Sequence, residues 1–189
     1  MRAAQSIFLF CAVAAAIPAA FSELTAGEDI PEIKASDNRL SCGRLRDGVL
    51  TIGLEARVGV WYPEDRDGPS LQVQAFAEAG HPPEIPGPMI RVPEGTEISV
   101  DIRNTIPSST LVIHGLHMRP GNPDDTVQLA PGERRNIRFR AGTPGTYYYW
   151  ATTTGKALPD RYGVDSQLNG ALIIDPPDAR ANDRVFVIG

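Results

Sequence analysis

The chain's whole supply of imidazole is His81, His114 and His117. Imidazole is the side chain best suited to carry a proton or hold a metal near neutral pH. His114 and His117 stand three residues apart. On a helix that spacing could chelate a metal. On a strand, positions i and i+3 face opposite ways, so the two could meet only if the chain bends after Gly115-Leu116. Four aspartates, Asp124, Asp125, Asp160 and Asp165, fall in expected loops. Paired carboxylates could bind calcium or do acid–base work, and loop aspartates also make turns. Thr152-Thr153-Thr154-Gly155, through to Asp165-Ser166-Gln167, is rich in hydroxyls and is a candidate binding surface. Tyr147, Tyr148, Tyr149 and Trp150 form an aromatic run that could stack on a ligand. On a strand, alternate members of that run would fill the core and the others would coat the surface. The sequence has no nucleophile elbow, phosphate-binding glycine loop or cysteine-based zinc pattern.

These residues must be positioned by short strands. From Leu50 to Val60 apolar and other residues alternate, a period of two that predicts a strand with one buried face. Asp67-Gly68 marks a turn before a second strand through Leu71, Val73 and Ala75. Residues 80–88 read as a loop. Met89 to Val92, Ile98 to Ile102, Leu111 to Leu116, Ile137 to Phe139, Thr146 to Trp150 and Gly170 to Asp175 read as further strands. About eight short strands with regular turns and no helical period predict an all-β barrel or sandwich of Greek-key type. Residues 23–48 lack period and read as an arm or linker, with order beginning near Asp47-Gly48. Residues 49–177 form the predicted domain, and the apolar run from Arg184 to Ile188 predicts the start of a following segment or domain.

Of the 189 residues, 42% are apolar, enough to bury a core, and the net charge of −5 disfavours nucleic acid and anionic membrane surfaces. Arg2, the apolar run from Ile7 to Ala16, Pro18 and Ala20-Phe21-Ser22 predict a signal peptide over residues 1–22 and hence export to the periplasm or the outside of the cell. No stretch reaches the roughly 20 apolar residues of a membrane span. Cys11 lies within the expected signal peptide. The mature chain then keeps only Cys42, which excludes an intrachain disulfide and predicts a free or buried thiol.

Several segments together resemble the first cupredoxin domain of multicopper oxidases, the laccases and their relatives. Gly87-Pro88-Met89-Ile90-Arg91-Val92 with Glu94-Gly95 is similar to the family's "PGP-x-IRV-x-EG". Ile113-His114-Gly115-Leu116 resembles the end of "HWHGL". Ala130-Pro131-Gly132-Glu133 and Pro144-Gly145-Thr146-Tyr147 resemble "PPGE" and the start of "PGTYWYHSH", and Gly170 to Ile174 resembles "G-x-LIV". The resemblance covers residues 49–177 and implies a cupredoxin-like Greek-key β-barrel or sandwich.

The resemblance also implies copper. The family builds a trinuclear centre between its first and last cupredoxin domains, and the first supplies two His-x-His pairs. Residues i and i+2 of a strand share a face, so two imidazoles converge. Those four positions fall on Val112, His114, Trp150 and Thr152, and only His114 is an imidazole. Valine has no donor atom, and the indole nitrogen carries a proton and offers no lone pair. His114 is therefore either a remaining copper ligand or a strand histidine bonded within a polar end of the barrel. Two functions remain open. The chain is the N-terminal domain of an exported multicopper-oxidase-like protein, partnered by downstream cupredoxin domains and unable to form the trinuclear centre by itself. Alternatively, it is a copper-free binding or structural barrel.

Overall fold

The computed structural model describes residues 30–117, 125–179 and 185–187. The expected signal peptide with Cys11, the Asp124 position and residues 180–184 lie outside the described residues. The strands are β1 (Lys34–Ala35), β2 (Arg44–Arg46), β3 (Val49–Trp61), β4 (Leu71–Glu78), β5 (Glu84–Ile85), β6 (Gly87–Pro93), β7 (Glu97–Asn104), β8 (Leu111–His114), β9 (Thr126–Leu129), β10 (Arg134–Arg140), β11 (Gly145–Thr152) and β12 (Asn169–Asp175). One sheet runs β1-β5-β4-β3-β7-β10, with β2 against β3, and the other runs β6-β12-β11-β8-β9. Parallel pairs β3–β7 and β6–β12 sit among antiparallel ones, so the chain crosses between the two sheets repeatedly.

The period-two pattern does what it predicts. Leu50, Ile52 and Leu54 of β3 and Ile98, Val100 and Ile102 of β7, neighbours in one sheet, join Leu111 and Ile113 of β8, Tyr149 and Ala151 of β11, and Leu172 and Ile174 of β12 in one buried cluster. Burying each such side chain contributes roughly 1.5–3 kcal/mol, so this cluster is the main source of stability. Tyr149 is its largest member. Its ring lies so close to Gly170 that a β-carbon there would sit 2.4 Å from it. Its hydroxyl donates to the Pro88 carbonyl at 2.6 Å, which satisfies the one polar atom the ring carries inside.

The structure differs from the expected elements in four places. Residues 80–88, read as a loop, carry β5 (Glu84–Ile85) and the start of β6 at Gly87. β8 ends at His114 rather than Leu116, because Gly115 turns the chain with φ of +83°, a conformation natural to glycine. Thr126–Leu129 forms the edge strand β9; its four residues are too few for their alternation to register as a strand in the sequence. The described part of the expected arm is built into the sheets. Ile33 and Cys42 are buried, β1 pairs with β5, and β2 pairs with β3. Cys42 is a free, buried thiol, and burial raises its pKa far above the ordinary value. Beyond β12, Val185 and Val187 pack on Met89, Ala171 and Ile173, on the side of β6 and β12 away from the main core. Among the described residues, no helix is long and apolar enough to cross a membrane.

Candidate functional site

β8 and β11 lie side by side and antiparallel, and their register sets Trp150 opposite His114 and Thr152 opposite Val112. The four positions to which the family resemblance assigns ligands thus form a square of two cross-strand pairs. Alternation puts the square on the face of the sheet away from the core, because Leu111, Ile113, Tyr149 and Ala151 take the inner face. The same alternation divides the aromatic run. Tyr149 is fully buried, Tyr147 packs against the core, and Tyr148 and Trp150 are half-buried on the outer face.

The square is filled by protein. The His114 imidazole and Trp150 indole stack at 3.9 Å between centroids with 2° between their planes. The Arg161 guanidinium lies 5.0 Å from the Trp150 ring centroid, a cation–π contact. Arg161 comes from the loop 153–168 that joins β11 to β12, and it is only 8% exposed. Its Nη2 donates to the carbonyls of Asp165 and Leu168, and it also interacts with the Tyr148 hydroxyl.

Thr152 points into a second interaction of the same loop. Its Oγ1 donates to Asp165 Oδ2 at 2.7 Å, and Thr154 Oγ1 donates to the same oxygen at 2.8 Å. The amides of Thr153 and Thr154 complete the set at 3.0 and 3.1 Å. Thr152 Oγ1 in turn accepts from the amides of Thr154 and Gly155. Thr153 Oγ1 donates to Oε1 of Gln74 on β4, and the Gln74 amide donates to the Val164 carbonyl. The loop is thereby fastened to both sheets. The three threonine hydroxyls that made this stretch a candidate binding surface are all engaged inside the protein.

Electrostatics follow from this packing. Burial works against the Asp165 carboxylate, which is fully buried. The hydroxyls of Thr152 and Thr154 and the amides of Thr153 and Thr154 together outweigh burial and hold its pKa below the ordinary value. Burial lowers the His114 pKa, and the Arg161 charge lowers it further against a smaller pull from Asp125. Burial also lowers the Arg161 pKa, opposed by Asp165 and Tyr148.

The remaining candidates lie apart from this network or at its edge. The bend at Gly115 leaves His117 half-exposed, with Nδ1 3.9 Å from the buried Asp125 carboxylate. Asp160 sits on an exposed 3-10 turn, Leu158–Asp160. Among the described residues, no three His, Cys, Asp or Glu side chains are grouped so as to hold a metal ion. Arg161 and Gln74 escape a reading of the sequence because both act across the fold. Arg161 reaches a strand eleven positions back, and Gln74 sits on a strand of the opposite sheet.

Comparison with known proteins gives the site its setting. The family model described as multicopper oxidase matches residues 79–179, more than half of the chain. A probable nitrite reductase-hydroxylamine oxidoreductase fusion protein of Kuenenia stuttgartiensis is 32% identical over 79% of this chain and 18% of its own length. A copper-containing nitrite reductase of Alcaligenes xylosoxydans xylosoxydans is 31% identical over 66% of this chain and 38% of its own length. The chain therefore spans less than two fifths of either relative. A solved multicopper oxidase from Campylobacter jejuni, described as a metallo-oxidase, superposes with a TM-score of 0.53 and 19% identity. The match covers 79% of this chain and 31% of that one, a similarity of fold. The all-β, two-sheet architecture is thus the cupredoxin-like sandwich the sequence motifs imply.

Proposed function

The chain belongs to the multicopper oxidase family, and from that premise we propose that it is the N-terminal cupredoxin domain of an exported, longer protein and forms no trinuclear copper centre by itself. The observation that carries this reading is the His114–Trp150 stack. Copper sites favour several nitrogen or sulfur donors, and the square offers one imidazole with an indole laid flat against it. Val112 has no donor atom, and the Thr152 hydroxyl is committed to Asp165. The residues present do not fit the family's copper group. Any oxidoreductase chemistry of the whole protein then depends on copper held by other domains, and this domain supplies a rigid wall for them. Export rests on the signal-peptide pattern of residues 1–22.

The alternative of a copper-free binding or structural barrel is favoured by the way the replaced positions interlock with the loop instead of standing open. The two readings separate on the whole protein. Copper in the full-length protein but not in this chain supports the first, and copper in neither supports the second.

The test of the shared premise is metal content and calorimetric copper titration of the chain without residues 1–22, with His114→Ala alongside. The expected result is no stoichiometric copper in either form. One equivalent bound by the wild type and lost in His114→Ala would sink the proposal and restore a copper-handling role.

A further inference from the structure

Thr152 and Trp150 are the two ligand positions that β11 carries, and each is held by one member of a charged pair from the loop 153–168. Asp165 takes Thr152 through its carboxylate. Arg161 takes Trp150 through its guanidinium. The pair is tied together in turn, since Arg161 donates to the Asp165 carbonyl. Arg161 and Asp165 are buried, whereas Lys156 and Asp160 of the same loop are exposed. Burying a charge is costly unless it is paired and hydrogen-bonded. A buried pair placed on these two positions therefore calls for a structural reason.

We propose that Arg161 is a resident cation standing in for a metal on this face: it and Asp165 clamp the loop 153–168 across the replaced positions, so the face assembles without copper and does not take copper up. The inference rests on the family reading that places ligand positions at Val112, His114, Trp150 and Thr152. It adds the residues that close the face.

Chemistry favours arginine in this role. A guanidinium is planar, permanently charged and weakly hydrated, so it can lie on an indole and still donate to carbonyls in its own plane. A metal ion brought to His114 would meet that positive charge. Of the nearby Asp165 carboxylate, Oδ2 accepts from two hydroxyls and two amides, while the buried Oδ1 has no hydrogen-bond partner. The clamp also spans both sheets, because Thr153 and Val164 of the loop bond Gln74 of β4. Releasing Arg161 should therefore free the loop from the sandwich edge while leaving the core intact.

The experiment uses the full chain and a lysine-specific protease directed at Lys156, which is exposed within the loop. Cleavage there reports how often the loop opens. The wild type is expected to resist cleavage equally in excess copper and in a strong chelator. Arg161→Met keeps the stem and removes the charge, and it should be cleaved roughly thirtyfold faster, the scale of a desolvated cation–π contact. Copper should not rescue it. Arg161→Lys should fall between the two, because it keeps the charge and loses the plane. Asp165→Asn is the second variant if Arg161→Met does not fold, and it should open the loop in the same way. Wild-type-like protection in Arg161→Met, or a wild-type loop that opens in chelator, overturns the proposal. Copper binding by the wild type would overturn both the absence of a copper centre argued above and the exclusion of copper from this face. Copper-independent protection lost in Arg161→Met would still establish the clamp.

Discussion

β8 and β11 each present two faces, and the faces differ in kind. The inner one holds Leu111, Ile113, Tyr149 and Ala151, all within the core. The outer one holds Val112, His114, Trp150 and Thr152, the positions where the family resemblance expects four histidines. The inner face is apolar packing, with Tyr149 seated against Gly170 and bonded to Pro88. The outer face carries a stack, a guanidinium and a buried carboxylate. A strand's period of two makes this possible. Neighbouring residues belong to separate environments, so one face can be rewritten without disturbing the other.

Truncations on the two faces should differ in size. Tyr149→Ala removes a fully buried aromatic ring and should cost about 3–5 kcal/mol, measured by chemical denaturation. A cost below that of the outer-face variants would break the comparison, because the inner face would no longer be the one that holds the fold. Asp165→Asn keeps the shape of the outer clamp and weakens charge-assisted bonds from Thr152 and Thr154, for a loss of about 1.5–3 kcal/mol. Thr152→Ala in the Asp165→Asn background should then add little, since the two residues share one network. Full additivity would show that they act separately. His114→Ala removes one ring of a half-exposed stack and should cost about 0.5–1.5 kcal/mol beyond the area it uncovers.

The sequence makes the inner face far more legible than the outer. Leu50 to Leu54, Ile98 to Ile102 and Leu172 to Ile174 show their buried faces through alternation, and Gly87, Gly132 and Gly145 lie within turn and strand motifs that carry the family resemblance. The positions Val112, Trp150 and Thr152 are legible too, because the family resemblance sets them against a His-x-His motif. What holds them is not. Arg161 and Asp165 sit in a loop without period, and their partners on β11 and β4 are brought to them only by the crossing of the two sheets. The threonine run illustrates the gap. Its composition suggests an open polar surface, yet each hydroxyl is consumed by Asp165 or Gln74. Ile33 and Cys42 were hidden for a similar reason, since the short strands beside them take their order from β3 and β5.

The smallest expected effect sharpens the comparison most, because it asks what the outer face does to a proton. His114 has its pKa lowered below the ordinary 6.5 by burial and by Arg161. Between the ordinary value and the lowered one, the unfolded chain binds more protons than the folded one, so stability falls as pH drops through that window. Above pH 6.5 the imidazole is neutral in both states and the penalty vanishes. Asp165 behaves differently. Its pKa is lowered from the ordinary 3.8, so its contribution is complete above that pH and fades only at lower values. Denaturation midpoints of the wild type should therefore decline gently as the pH falls below 6.5, then again below about pH 3.8. His114→Phe keeps a ring against Trp150 and removes the titration, so it should flatten the upper decline and leave the lower one. Arg161→Met should make the upper decline shallower as well, because one of the two causes of the lowered pKa is gone. A wild-type slope retained in His114→Phe would assign the upper decline to another group, and the outer face would then have no part in disfavouring the charged imidazole.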